Sequence, residues 1–418
     1  MNILIVNVHS GLNLGDEAIM QATLLNIWER YPEANIVVAA NDPESWMKYP
    51  NVKIVESLCH WGGDCRLGIY RPYFLQAFLN FVFLCSIVIA KRWLKIELSI
   101  NCQKKRDLIS AYYQADLVLS CGGGNFYAHH NKSPALFWAL MTLITAILLC
   151  KPVIMLPQSI GPIEGKIQKH LSRFTFRRIN TIMVRERESL QFVKEVLKID
   201  HRKTILLPDL AFGLNGSPTA TISEEDCPIR VGITVIDRSA QLEEFITQEI
   251  YEESILSLIN YLVSKFNCEI HLFAQCYGPS KDQDDRIITN HLFHKIPSHK
   301  NRVFLHDHFD NSADIISWYS NMTCVIATRM HSGIFALINN VPVLGIGYQP
   351  KTKGMLADYG LENFQCDIGQ VSASRLISLV QEMLSNHEAI RQQIIGKNKI
   401  MRNSATVWID YLSFDEDE

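Results

Sequence analysis

Short runs of β-branched and aliphatic residues alternate with longer amphipathic stretches along nearly the whole chain. Asn2–Val8 is such a run, and an amphipathic stretch over 17–30 follows it. The runs 116–120, 152–156 and 181–184 are likewise followed by amphipathic stretches. Parallel strands need long crossover connections, so this alternation predicts parallel sheets covered by helices. The expected fold class is α/β, with doubly wound sheets.

The alternation breaks once, over residues 213–228. This segment reads GLNGSPTATISEEDCP and has no apolar period, which is typical of a linker. A chain of 418 residues is long enough for two domains. We therefore predict one Rossmann-like domain over 1–212 and a second over 229–371. The helical segment 372–418 is long enough to pack back on the N-terminal domain.

Composition narrows the classes of function. The chain has 40 Lys and Arg against 43 Asp and Glu, whereas a general nucleic-acid binder needs excess cations to displace counterions. Hydrophobic residues make up 48% of the chain, which is enough for packed cores. The eleven cysteines form no CxxC pair or Cys/His cluster, so we expect neither a metal site nor a disulfide framework. This pattern favours a cytoplasmic location.

Two uncharged apolar stretches, 74–90 and 134–150, are each about as long as the shortest membrane span. Strand-like runs lie before, between and after them, so a membrane crossing at either stretch would divide one sheet. We predict two buried helices, the first within a helical insertion at about 70–106. Basic residues follow that first stretch, and an apolar helix beside a basic segment is also typical of peripheral contact with the inner face of a membrane. For 74–106 both interpretations stay open.

Four motifs in the N-terminal half lie where predicted strands end: GLNLGDEA, SCGGGNF, PQSIGP and VRERES. In open α/β sheets ligands bind at the carboxyl ends of the strands. Glycines let backbone approach a ligand closely, and an arginine at a strand end can clamp a carboxylate or phosphate. Asp16 is also an ordinary first-turn acid, and Gln158 also suits a rigid turn. The candidate ligand-binding residues here are Gly15, Asp16, Gly122, Gly123, Gly124, Asn125, Gln158 and Arg185.

A fifth motif, TRMHSG, follows a predicted strand over 324–327 and begins a helix. Arg329 and His331 stand two residues apart at this junction, and a histidine can give or take a proton near neutral pH. The helix start at Ser332 and Gly333 offers N–H groups to an anion. The motif therefore predicts an acid–base and anion-binding site, with a helix-capping turn as the alternative.

In this order, GLNLGDEAI, LVLSCGGGNF, PQSIGPI, VRERES, LPDLAF and TRMHSGIFAL resemble the polysaccharide pyruvyl transferase family, over about residues 2–347. The resemblance implies a GT-B-like fold in which two Rossmann-like domains face each other across a cleft. It also implies transfer of a pyruvyl group from phosphoenolpyruvate to a sugar, with formation of a cyclic ketal and release of phosphate. Neither a metal nor a cofactor is implied besides the donor.

By the same resemblance, His331 is the general acid, Arg329 its anion-binding partner and Arg185 a further cleft arginine. The acceptor is a glycan or a lipid-linked saccharide, and the sequence predicts no oligomeric state. Two other classes of function fit the same motifs. One is a GT-B glycosyltransferase that uses a nucleotide-sugar donor, and the other is a non-catalytic module that binds a sugar phosphate.

Overall fold

A computed structural model describes residues 1–61, 82–87, 102–128, 134–217, 228–237, 248–296, 301–348 and 350–412. The chain forms two compact units. Unit 1 comprises Met1–Gly11, Ile19–Leu210 and Thr406–Glu418. Unit 2 comprises Leu12–Ala18 and Ala211–Ala405.

Unit 1 contains a parallel sheet in the order β3-β2-β1-β4-β6-β7-β8, with β5 beside β6. The order reverses between β1 and β4, as in a Rossmann fold, so the loops after these two strands flank the switch point. The strands of the sheet are β1 (Asn2–Val8), β2 (Asn35–Ala40), β3 (Lys53–Glu56), β4 (Leu117–Ser120), β5 (Gly123–Ala128), β6 (Val153–Ile163), β7 (Thr181–Val184) and β8 (Thr204–Leu206).

Helices connect these strands: α1 (Leu14–Arg30), α2 (Gln103–Gln114), α3 (Pro134–Leu148), α4 (Lys166–Phe176) and α5 (Arg187–Gln191). Helix α3 is the second apolar stretch, and it is buried along most of its length, from Leu136 to Ala146. Tyr112 of α2 donates a hydrogen bond to the Thr142 carbonyl at 3.0 Å. The prediction of a buried helix at 134–150 is therefore confirmed.

Most of the first apolar stretch and of the insertion predicted at 70–106 lies outside the described residues. Within it, residues 82–87 are helical, with Leu84 and Ile87 buried. None of the helices in the described ranges combines the length and the apolarity that a membrane crossing requires.

Unit 2 contains a second parallel sheet, in the order β11-β10-β9-β12-β13-β14. Its switch point lies between β9 and β12. The strands are β9 (Arg230–Thr234), β10 (Glu269–Phe273), β11 (Val303–His306), β12 (Cys324–Ala327), β13 (Val343–Gly347) and β14 (Gln365–Asp367). The helices are α6 (Gln248–Phe266), α7 (Asp285–His294), α8 (Ser312–Tyr319), α9 (Met330–Ile338), α10 (Pro350–Asp358), α11 (Ala373–Ser385) and α12 (His387–Thr406). The predicted α/β fold with two doubly wound parallel sheets is confirmed.

The units divide the chain after Leu210, close to the domain end predicted at 212. The segment Leu12–Ala18 belongs to unit 2, although its sequence neighbours belong to unit 1. Backbone hydrogen bonds explain this, since Leu14 N donates to Gln275 O at 3.1 Å and Tyr277 N donates to Leu12 O at 2.9 Å. A short antiparallel bridge after β10 thus holds the segment.

The C-terminal helices also differ from the expectation that 372–418 packs on the N-terminal domain. Helix α11 belongs to unit 2 and packs its apolar face, which includes Leu376 and Met383, against α6. Helix α12 belongs to unit 2 up to Ala405. Only the residues from Thr406 onward belong to unit 1, where Trp408 Nε1 donates to Asn26 Oδ1 at 3.0 Å.

Eight cysteines in the described ranges are free thiols, and five of these are buried. Cys59 differs from these because it is disulfide-bonded. The sequence does not predict this bond, since Cys59 belongs to no spaced cysteine pattern.

Candidate functional site

The switch point of unit 2 is held by side-chain contacts between its two central strands. Thr328 and Arg329 follow β12, and their backbone N–H groups donate to Thr234 Oγ1 at the end of β9, at 3.1 and 3.5 Å. The Tyr251 hydroxyl lies 2.9 Å from Thr328 Oγ1. These contacts fix the backbone from which the Arg329 side chain extends, at the N-cap of α9.

Arg329 forms a bidentate ion pair with Asp285, the first residue of α7. Its Nε donates to Oδ2 at 3.1 Å and its Nη2 donates to Oδ1 at 2.5 Å. Burial alone would lower the pKa of Arg329, but the Asp285 carboxylate raises it well above its usual range, so the guanidinium stays charged. Asp285 thus occupies the Nε–Nη2 edge of the guanidinium, and anion binding by Arg329 stays a prediction.

His331 lies directly against the backbone of Gly15. A Cβ added at Gly15 would be 2.2 Å from His331 Nδ1 and 2.5 Å from Cγ, so the imidazole occupies the space of a side chain. The loop before Gly15 is shaped by its own polar groups. Gly15 N donates to Asn13 Oδ1 at 3.0 Å, and Asn13 Nδ2 donates to Asp16 Oδ2 at 3.1 Å. Two motifs more than 300 residues apart therefore meet in unit 2.

Ser332 and Gly333 are buried inside unit 2. Ser332 Oγ donates to the side-chain oxygen of Gln275, whose backbone carbonyl also accepts from Leu14 N. A Cβ at Gly333 would lie 2.7 Å from Met355 Cε, so glycine allows α10 to approach α9. These contacts hold the site together; direct ligand binding by Ser332 and Gly333 stays a prediction.

Three residues of the unit 2 site were not singled out by sequence reasoning: Asn13, Gln275 and Asp285. Gln275 and Asp285 lie in the segment AQCYGPSKDQDD, which follows β10. Their position after a strand is the one sequence feature that could have identified them as site residues. Asn13 lies within the first motif itself. Their roles depend on nonlocal pairing, which residue spacing does not reveal.

In unit 1, Arg185 follows β7 and is deeply buried, with 3% of its side chain exposed. Its Nη1 donates to Asp209 Oδ2 at 2.5 Å, and its Nε donates to Glu186 Oε1 at 2.9 Å and Ser159 Oγ at 3.0 Å. Burial alone would lower the pKa of Arg185, but the two carboxylates raise it. The guanidinium is thus held by protein carboxylates in this structure, and its contact with a ligand stays a prediction.

The glycine motif of unit 1 passes closely over the middle of β6, and from Gly123 onward it forms β5. A Cβ at Gly122 would lie 2.7 Å from the Pro157 carbonyl oxygen, whereas a Cβ at Gly124 would meet open space. Asn125 Nδ2 donates to the Asn7 carbonyl at 2.8 Å, which ties this motif to β1.

Gln158 lies within β6 and not at the predicted strand end or turn, because β6 continues to Ile163. It is fully buried, and neither amide atom of its side chain has a hydrogen-bond partner within the described residues. Gly123 is its register partner on β5, so the neighbouring position carries no side chain. A buried amide without partners is rare and costly, and it is a sign of a bound water or ligand.

The predicted residues therefore fall into two groups, one in each unit. Unit 2 holds Gly15, Asp16, Arg329, His331, Ser332 and Gly333, while unit 1 holds Gly122, Gly123, Gly124, Asn125, Gln158 and Arg185. In the part of the chain that the structure describes, no three His, Cys, Asp or Glu side chains are grouped as metal ligands would be.

The fold, with its two Rossmann-like units, is that of the GT-B structural class. The family model described as polysaccharide pyruvyl transferase matches residues 13–350, which is most of the chain. The chain belongs to the polysaccharide pyruvyl transferase family.

A curated relative is the amylovoran biosynthesis protein AmsJ of Erwinia amylovora. It is 26% identical over 307 residues, which cover 70% of this chain and 72% of AmsJ. Two solved structures are similar in fold alone, each at 12% identity and covering 99% of both chains. They are the UDP-GlcNAc 2-epimerase of Neisseria meningitidis, with a TM-score of 0.59, and a glycosyltransferase of Rickettsia africae, with a TM-score of 0.57.

Proposed function

We propose that this chain transfers a pyruvyl group from phosphoenolpyruvate to two hydroxyls of a sugar residue, forming a cyclic ketal and releasing phosphate. The observation that carries the proposal is the meeting of two family motifs in unit 2, where the imidazole of His331 lies against Gly15. Membership of the pyruvyl transferase family supports it.

The donor carries a carboxylate and a phosphate, so its site needs fixed cations and N–H donors. Arg329 fits this need because Asp285 fixes the plane of its charged guanidinium. We assign Arg329 to anion binding and retain Arg185 as a candidate second anion-binding arginine. Positioning and charge neutralisation by such groups are the usual sources of rate in phosphate chemistry.

His331 is assigned as the general acid. It gives a proton to the methylene carbon of phosphoenolpyruvate, which makes the adjacent carbon electrophilic. One sugar hydroxyl adds to that carbon, phosphate leaves, and the second hydroxyl closes the ketal; the two hydroxyl protons pass to the phosphate and to the imidazole. A well-placed acid contributes about 10²–10⁴-fold to such a step.

We assign the acceptor to a saccharide of an exopolysaccharide or its lipid-linked precursor, since AmsJ is named for amylovoran biosynthesis. The Gln158 amide, which has no hydrogen-bond partner within the described ranges, and the glycine segment Gly122–Gly124 are suited to sugar hydroxyls, which both donate and accept hydrogen bonds. The reaction is assigned to the cytoplasm, with peripheral membrane contact through 74–106 as a further part of the proposal.

Substrate turnover tests the proposal. Purified full-length chain is incubated with phosphoenolpyruvate and a panel of free and lipid-linked glycans, and phosphate and ketal are both measured. The proposal predicts equal amounts of phosphate and pyruvylated sugar. Phosphate without ketal, or no phosphate with any acceptor, would contradict it.

The second candidate is a glycosyltransferase with a nucleotide-sugar donor, which the fold favours because the Rickettsia africae structure is a glycosyltransferase. The same panel with UDP-sugars distinguishes the two, since a glycosyltransferase releases UDP and transfers a sugar. A non-catalytic module that binds a sugar phosphate would be stabilised by its ligand and would turn over neither donor.

A further inference from the structure

Helix α4 of unit 1 carries two large apolar side chains on its exposed side. Ile167 is 84% exposed and Phe174 is 47% exposed. The two residues are seven apart and so lie on one side of the helix. The opposite side is buried through Ser172, Thr175 and Phe176. The exposed side of an ordinary surface helix carries mainly polar residues, whereas that of α4 holds Ile167 and Phe174 beside the exposed His170.

Cations surround these two apolar side chains. Lys166, Arg177 and Arg178 fall on the same face by helical spacing, and α4 contains no acidic residue. The Arg178 guanidinium lies over the Phe174 ring, 3.7 Å from its centroid. The exposed face of α4 therefore combines two large apolar side chains with positively charged side chains.

A basic groove continues this face. It has a volume of about 1120 Å³, and its charged lining residues are Arg177, Lys194, Lys198, Asp200, Arg202 and Lys203. The one acid among them, Asp200, is paired with Arg202 at 2.8 Å. Arg173 joins the helix to the groove, since its Nε donates to the Leu197 carbonyl and its Nη2 to the Val196 carbonyl, both at 2.8 Å.

We propose that α4 and this groove form a docking surface for an anionic lipid bilayer. Ile167 and Phe174 enter the acyl boundary, and the surrounding cations contact lipid headgroups. A soluble polyanion would engage the cations but would leave the two apolar side chains in water, so the combination favours a bilayer.

The location of the surface suits this role. Arg177 lies before β7 and Lys203 lies before β8, so the groove is at the amino ends of these strands. Arg185 follows β7 at the opposite edge of the sheet. The groove thus lies away from the carboxyl ends of β7 and β8, while α4 itself runs from the carboxyl end of β6 to the amino end of β7. Within the proposed function, on which this point rests, the surface brings the enzyme to lipid-linked acceptors.

Vesicle sedimentation of the full chain tests the docking surface. Vesicles of phosphatidylcholine with roughly one-third phosphatidylglycerol are compared with pure phosphatidylcholine at about 0.1 M salt. We expect binding to the anionic vesicles alone. The charge variant Lys166→Glu/Arg177→Glu/Lys194→Glu should lower partitioning at least about 100-fold, and Ile167→Ser/Phe174→Ser about tenfold.

Matched control variants keep the same changes on other exposed positions. Lys265→Glu/Lys397→Glu/Lys399→Glu repeats the charge reversal, and Ile287→Ser/Ile400→Ser repeats the apolar loss; both should bind as the unchanged chain does. Equal binding by test and control variants would overturn the proposal, as would absence of vesicle binding by the unchanged chain. Binding to an immobilised anionic polysaccharide but not to vesicles would also overturn it.

Activity on a soluble acceptor separates this proposal from the proposed function. The α4 variants should turn over phosphoenolpyruvate with a soluble glycan at the unchanged rate, while turnover of a vesicle-bound acceptor falls with binding. A chain that docks on vesicles but never releases phosphate would contradict the proposed function alone. A chain that turns over but does not dock would contradict the docking surface alone.

Discussion

The backbone of Gly15 lies where any side chain would meet the imidazole of His331. The change Gly15→Ala puts a Cβ within 2.2 Å of Nδ1, so the ring must shift. We expect kcat to fall at least about tenfold, because small displacements of a catalytic group are costly. Steady-state phosphate release measures this.

The matched control is Gly396→Ala, since a Cβ there meets nothing within 4 Å. In helix α12 this change should stabilise the chain by about 0.5–1 kcal/mol and leave kcat unchanged. Wild-type turnover by Gly15→Ala would show that the position of His331 does not matter.

Asp285 is expected to hold Arg329 in place for the donor. The change Asp285→Asn removes the charge from a carboxylate that is 2% exposed and leaves the guanidinium without its ionic partner. Loss of one partner of a buried pair costs about 3–5 kcal/mol, and here we also expect a higher KM for phosphoenolpyruvate. Thermal unfolding and steady-state kinetics measure the two effects.

Asp200→Asn is the comparison for this variant, because Asp200 pairs with Arg202 on the surface and should contribute nothing measurable. A KM and an unfolding midpoint that stay unchanged in Asp285→Asn would contradict the positioning role of Asp285.

At the scale of elements, strands β10 and β11 carry a stacked histidine pair. His271 Nδ1 lies 2.9 Å from His306 Nε2, and their ring centroids are 5.2 Å apart. Burial lowers the pKa of each ring to about 4. Glu269 and Arg230 have smaller effects on the pKa of His271, and His271 and Asp307 have smaller effects on that of His306.

These lowered pKa values predict that acid destabilises unit 2. The folded chain binds protons less readily than the unfolded chain, so the contribution is complete above pH 6.5, declines as the pH falls towards 4, and levels off below 4. We expect a loss of up to about 2 kcal/mol for each histidine between pH 7 and 5. Unfolding midpoints across this range measure it.

His271→Phe/His306→Phe keeps two stacked rings and removes both titrating groups. The pH dependence of this variant should be shallower than that of the unchanged chain, while general effects of acid on carboxylates remain in both. Identical slopes would show that the histidine pair does not titrate as expected.

The elements themselves were largely predictable from residue patterns. The strand Asn2–Val8 and the uncharged helix α3 can be recognised from their nearly continuous apolar sequence. An element that is buried on both sides has no polar face. The environment of Arg185 was not predictable in this way. Asp209 lies 24 residues away and reaches the guanidinium only through the pairing of β7 with β8.

At the scale of the whole molecule, the two sheets and the strand-end locations of GLNLGDEA, VRERES and TRMHSG followed from the alternation of strand and helix. The expected strand end at PQSIGP was wrong, because β6 continues through it to Ile163, and Gly123 already begins β5. The assignment of Leu12–Ala18 to unit 2 did not follow from the alternation, because it depends on hydrogen bonds to Gln275 and Tyr277. The same nonlocal pairing brings Gly15 to His331. Sequence spacing therefore predicts which residues are candidates, while their partners are set by tertiary contacts.

The most direct test of pyruvyl transfer compares the unchanged chain with His331→Ala, using phosphoenolpyruvate and an accepted glycan. Turnover is counted as pyruvylated sugar and phosphate together, and thermal unfolding shows that the variant is folded. We expect equal yields of both products from the unchanged chain and a kcat about 10²–10⁴-fold lower in the variant. Near-wild-type turnover by folded His331→Ala would contradict the assignment of His331 as the acid.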